Sequence, residues 1–185
     1  NIVQLILNLQ QIQNRRKKKN NLNKSSVALA KVELACFQKL GDFSALPDRK
    51  QLALIRAQIF IRLGDTTEAL MLLRKLAAEY SGDGKIQLQY ADLLIEQSDV
   101  PSRREALRKY KEITQRSRPQ TSAWFAAKYG EARARMLLGN VKDAAKTIRT
   151  VQVLYPDLGG EQWRKRFETL LEACALTDET AVPKQ

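Results

Sequence analysis

The 185 residues carry 32 Lys and Arg against 20 Asp and Glu, a formal net charge of +12, with 44% hydrophobic residues and no histidine. Such an apolar share excludes a wholly disordered chain, and the missing His removes the commonest general base and metal ligand. Eight Gly, five Pro and few alternating Val/Thr runs predict helices throughout, at a length that fits one domain or a short array with an apolar core.

Apolar residues at positions 2, 5, 6, 9 and 12 predict a short helix, Ile2 to Ile12, with one adhesive face. Six cations then fall within the ten residues from Arg15 to Lys24, a self-repelling block that reads as a solvated linker. Ser25-Ser26 can cap a helix from Val27 to Leu40, ended by Gly41-Asp42. It resembles the first half of a decayed repeat, because Pro47 interrupts the place of its partner. The chain begins with Asn rather than Met, which reads as a fragment or a processed product.

Helix pairs follow. Arg49 to Leu63, Gly64-Asp65 and Thr67 to Tyr80 make the first hairpin, before a loop at Ser81-Gly82-Asp83-Gly84. Lys85 to Gln97 and Ser102 to Arg116 make the second, with Pro101 at or near the first turn of its second helix. Ser122 to Leu138, Gly139-Asn140 and Val141 to Leu154 make the third, stopped at Tyr155-Pro156. A last helix, Glu161 to Ala175, carries Trp163, Phe167, Leu170, Leu171 and Cys174 on one face and ends in a polar tail, residues 177–185.

Small residues recur at matching places: Ala57, Ala91 and Ala132 in first helices, 34 and 41 residues apart, and Ala69, Ala106 and Ala144 in second helices, 37 and 38 apart. Two helices approach closely only where side chains are small, and Leu73, Tyr110 and Ile148, four residues on, fill the adjoining space. With Pro156 completing the ladder in the third hairpin, residues 49–157 resemble the tetratricopeptide repeat. The resemblance implies an all-α, right-handed α-solenoid of about three helix–turn–helix repeats, with a partial N-terminal repeat and a C-terminal capping helix. Segments 1–24 (short helix and basic linker), 25–176 (repeat domain) and 177–185 (tail) follow from it. The family's aromatic near the start of the first helix is absent at Ala53, Gln87 and Lys128, and Arg135 stands where a large aromatic often sits.

Nothing in the sequence assembles catalytic, metal or cofactor chemistry. The glycines of Ser81–Gly84 and Gly159-Gly160 lack the preceding strand and following Lys-Ser/Thr of a phosphate loop. Cys36 and Cys174 sit in apolar helical patterns without CxxC spacing and read as buried free thiols, which leaves no zinc site. No run approaches the roughly 20 apolar residues of a membrane helix, and the cytoplasm stands as the default compartment.

The surface is where function is expected. In the family the first helices line a concave face, and the resemblance places Gln58, Ile61 and Arg62, then Leu88, Asp92, Ile95 and Glu96, then Tyr129, Arg133 and Met136 on it. A mixed apolar and charged groove of this kind suits an extended or helical peptide, with Gln58, Arg62, Asp92, Glu96, Tyr129 and Arg133 as partner-binding residues. The clamp with which some members hold a terminal carboxylate is not reproduced at Leu54/Gln58, Leu88/Asp92 or Tyr129/Arg133.

Charge supplies the rival reading. Residues 1–50 carry +7 and 101–150 carry +9, whereas 51–100 and 151–185 each carry −2. Arg104, Arg108 and Lys111 share one helical face that could meet nucleic acid or another polyanion, although no aromatic is interleaved for base stacking beyond Tyr110, which the repeat claims for the core. A non-catalytic protein-binding scaffold is therefore the first expectation and a basic adaptor the second. The third is a structural array that docks on another domain or a copy of itself through Ile2–Ile12.

Overall fold

The computed structural model describes residues 2–17 and 23–180, and their side chains other than those of 10, 12–17, 23–25 and 178–180. The described residues form nine α-helices and no strand: α1 (Ile2–Lys17), α2 (Asn23–Leu40), α3 (Arg49–Leu63), α4 (Thr66–Glu79), α5 (Gly84–Ile95), α6 (Val100–Arg116), α7 (Ser122–Leu137), α8 (Val141–Leu154) and α9 (Glu161–Thr180). They gather into two compact units, residues 1–80 and 81–185.

In the first unit α1 packs on α2, α2 on α3 and α3 on α4. Part of the apolar face of α1 is used within this unit: Ile6 is fully buried in a cluster with Ala30, Phe37, Leu52, Ile55 and Ile59, and Ile2, Val3 and Leu7 pack around it, while Leu5 stays exposed. α1 also runs further than its sequence predicts. Its backbone stays helical through Arg15–Lys17, the start of the expected linker, and α2 begins at Asn23 rather than Val27. Residues 18–22 of that linker lie outside the described residues. Charge repulsion along an exposed helix costs only a few tenths of a kcal/mol per pair, less than the buried face of α1 contributes.

The two Gly-Asp/Asn turns close in the same way. Gly64 takes φ 80° and donates to the Ile61 carbonyl while Asp65 N–H donates to Phe60, and Gly139 at φ 82° and Asn140 repeat this with Met136 and Arg135. This paired bonding satisfies the last carbonyls of a helix and needs a left-handed residue that glycine adopts without steric cost. Asp65 then opens α4 by accepting the Glu68 N–H at 3.2 Å. Asp99 does the same for α6 through Ser102 at 2.8 Å, with Pro101 in the first turn.

The small-residue ladder is the axis of both units. Ala57 and Ala69 in the first, and Ala91, Ala106, Ala132 and Ala144 in the second, all have 0% exposure, and Leu73, Tyr110 and Ile148 four residues on are buried beside them. In the second unit α5 packs on α6, α6 on α7, α7 on α8 and α8 on α9, while the alternate helices α5, α7 and α9 also touch in sequence. Gly130 on α7 admits the Tyr110 ring of α6: a Cβ there would lie 2.3 Å from Tyr110 Cε1. α9 caps the unit with Phe167 and Leu170 against Trp124, Phe125 and Ile148, and with Cys174 against Ala144 and Ala145. It continues to Thr180, so the predicted tail from Thr177 begins as helix, and 181–185 lie outside the described residues. Cys174 is buried and Cys36 half-buried, both as free thiols.

Gln87, Lys128 and Arg135, which stand where the resembled repeat carries aromatics, each join a polar pair. Gln87, 5% exposed, accepts from Lys109 Nζ at 3.0 Å. Glu131, equally buried, is held by Lys128 at 3.1 Å and Arg135 at 2.9 Å. Burial pushes the Glu131 carboxyl up, but its bonds to these two cations outweigh that and hold it below the usual carboxylate range.

Candidate functional site: the α5–α7–α9 row

The alternate helices of the second unit bring residues from α5, α7 and α9 onto one surface. On α5, Asp92 is exposed, yet its Oδ1 accepts the Tyr110 hydroxyl at 2.7 Å. Burial pushes the Asp92 carboxyl above its ordinary value, against the lowering effects of the Tyr110 bond and of the Arg166 and Arg133 charges. The Tyr110 ring packs closely against Gly130, and burial followed by the Asp92 charge pushes its hydroxyl far up, so it stays a proton donor.

One turn on, just past the end of α5, Glu96 takes a two-pronged bond from α7: Arg133 Nη1 to Oε1 at 2.6 Å and Nη2 to Oε2 at 3.2 Å. Arg133 holds the Glu96 carboxyl below the usual range, and Glu96 in turn raises the guanidinium. With side chains 32% and 56% exposed, the pair fixes geometry more than it adds stability.

Tyr129 on α7 stands edge-on to Phe167 at 5.7 Å and tilted to Trp163 at 6.2 Å. Arg166 lies over both rings, 4.7 Å from Tyr129 and 4.8 Å from Trp163. Arg166 is exposed and forms no hydrogen bond or ion pair among the described residues. Its donors and the second Asp92 oxygen are open beside an aromatic surface.

Of the sequence-predicted partner-binding residues, the structure therefore brings together Asp92, Glu96, Tyr129 and Arg133. Gln58 and Arg62 lie on α3 in the other unit. Gln58 is half-buried. Arg62, expected to face a groove, is instead paired with Glu33 of α2, with side chains only 10% and 0% exposed. Ile95, expected on the lining, is buried at 2% exposure. From the sequence α9 reads only as a cap, although the spacing of Trp163, Arg166 and Phe167 sets the three on adjoining rows of one helix.

The basic face of α6 is thinner than its sequence implies. Arg108 pairs with Glu112 at 2.7 Å and Glu105 at 3.8 Å, whereas Arg104 and Lys111 are exposed and unpaired among the described residues. Arg103 donates to the Gln97 and Leu137 carbonyls, Lys109 to Gln87, and Arg116 to the Ser81 carbonyl. The described residues hold no cluster of three or more His, Cys, Asp or Glu fit for a metal ion, and none of their helices is long and apolar enough to cross a membrane.

No protein-family model matches the chain, and no curated protein does. A solved structure titled MamA MSR-1 C2 is similar, at 14% identity and a TM-score of 0.54, over 84% of this chain and 94% of that one. The fold is a TPR-like helical repeat. At this identity the likeness is one of all-α solenoid architecture, and the side chains of the α5–α7–α9 row are this chain's own.

Proposed function

We propose that the chain is a non-catalytic protein-interaction module, and that the α5–α7–α9 row binds a peptide segment of a partner protein. The observation that carries this reading is the solvent-exposed Asp92, bonded to the Tyr110 hydroxyl and accompanied by the Glu96–Arg133 pair and by Arg166 over Tyr129 and Trp163. Tyr129, Trp163 and Arg166 supply rigid apolar area and an unpaired cation, the residue types that carry most of the energy at protein interfaces. Asp92 can accept a backbone or side-chain N–H, and Arg166 can donate to a carbonyl or carboxylate, so the two fix the direction of a bound segment.

The test is selection of peptides from a random phage-displayed library on the full chain, with affinities measured for wild type, Asp92→Lys and Arg166→Glu. Loss of an anchoring charge contact lowers affinity by about tenfold or more. The reading fails if selected peptides bind both variants as tightly as wild type.

A further inference from the structure

Within the first unit, α3, α4 and the segment 41–44 enclose a separate cleft of about 310 Å³. Its apolar lining comes from Ala53, Leu72, Leu76 and the Phe43 and Tyr80 rings. Its charged lining is mostly cationic: Arg49, Lys50, Arg56 and Lys75 against the carboxylates of Asp42 and Glu79. Most of these charges are already engaged. Arg49 reaches Glu79 at 3.1 Å, and Lys50 lies 5.2 Å from the Tyr80 ring centre. Asp42 accepts both the N–H and the hydroxyl of Ser44, which holds its carboxyl below the ordinary range with a smaller contribution from Lys75.

Two cations are left over, one from each helix. Lys75 forms no hydrogen bond or ion pair among the described residues, and neither does Arg56, whose guanidinium lies 5.8 Å from the Phe60 ring. Arg56 Nε is moreover buried without a partner. A buried donor left unbonded is costly, and protein structures keep few of them. A guanidinium fork matches a carboxylate in two-pronged geometry, and an apolar lining of this size accepts the body that carries it.

We propose that this cleft is a binding site for a carboxylate carried on an apolar body, held by Arg56 with Lys75 at its flank. The site is independent of the α5–α7–α9 row, and its failure would leave the peptide-binding reading untouched. The chemistry is that of an aryl- or alkyl-carboxylic acid, supplied either free in solution or as a Glu side chain next to an apolar residue.

The experiment is an NMR titration of the isotope-labelled full chain, observing the Arg56 Nε–H resonance. The probes are 4-phenylbutyrate, its neutral analogue 4-phenylbutyramide, and the capped dipeptide acetyl-Phe-Glu-amide. Phenylbutyrate is expected to move the Arg56 resonance saturably in the millimolar range, with the amide weaker by about tenfold, the difference a charge-assisted bond makes. Arg56→Gln should weaken binding by about tenfold, while Arg49→Gln, whose cation is already tied to Glu79, stays within about twofold. Should Arg56→Gln fail to fold by circular dichroism, Lys75→Met carries the same test, with binding weakened by about threefold. Binding of the free acid alone assigns a small-molecule site, and binding of both acids a recess for an acidic side chain, and either supports the proposal. It is overturned if acid and amide bind alike, or if the Arg56 resonance stays unmoved by either acid at roughly 10 mM.

Discussion

Replacing Gly130 by Ala tests the link between packing and site in one step. An Ala Cβ would lie 2.3 Å from Cε1, 2.4 Å from Cζ and 2.6 Å from Cδ1 of Tyr110, so the ring must retreat by about 1 Å to reach ordinary contact. That ring is 1% exposed and tied at its far end to Asp92 at 2.7 Å, which leaves it no easy direction. Overpacking of this kind costs about 1–3 kcal/mol. Stretching the hydroxyl off a charged acceptor adds about 1.5–3 kcal/mol. The gain from Ala over Gly inside a helix offsets about 1 kcal/mol. The net is a destabilisation of roughly 1.5–5 kcal/mol, or about 3–20 °C in Tm for a chain of this size. Thermal melts by circular dichroism measure it, with Gly82→Ala as control, because a Cβ at Gly82 meets nothing within 4 Å. A second substitution, Tyr110→Leu, should recover part of the loss by vacating the space. The reasoning is refuted if Gly130→Ala is as stable as wild type, since propensity alone would then govern the position.

Three further outcomes follow from the same geometry. Glu33→Ala strands the buried Arg62 guanidinium and should cost about 3–5 kcal/mol in urea unfolding, whereas the double change Glu33→Leu with Arg62→Met should regain most of it; equal losses in both would contradict a desolvated pair. Because burial raises the folded-state pKa of Asp92, the unfolded chain releases that proton first, so its contribution to stability declines as pH rises from the ordinary value of 3.8 to the raised one. Asp92→Asn should remove this decline, seen as a stability difference from wild type that grows in the variant's favour across that window; a flat difference would sink the assignment. Gly64→Ala, forced to φ 80°, should lose about 1 kcal/mol, and an unchanged midpoint would show that the turn relaxes freely.

The parts of this molecule that depend on short spacing were legible in its sequence. Gly64-Asp65 and Gly139-Asn140 marked their turns, α8 begins at Val141 and ends at Leu154 as its pattern predicts, and all of the ladder alanines are buried. These features follow from steps of three or four residues and from backbone chemistry that only a few residue types provide. The misreadings involve partners far apart in the chain. Arg62 reads as a groove residue because its partner Glu33 lies 29 residues away on another helix, and the position of Arg166 over an aromatic ring depends on Tyr129, 37 residues before it. The extension of α1 into the basic block has a local cause: like charges three or four residues apart oppose a helix only weakly.

The central claim is that the surface of α5, α7 and α9 receives a partner segment. Chemical-shift mapping of the full chain with a selected peptide tests it most directly. The account predicts perturbations centred on Asp92, Tyr129, Arg133, Trp163 and Arg166, with the Trp163 indole N–H among the largest. Perturbations confined to the exposed faces of α6 and α8, around Arg104, Lys111 and Val153, would contradict it.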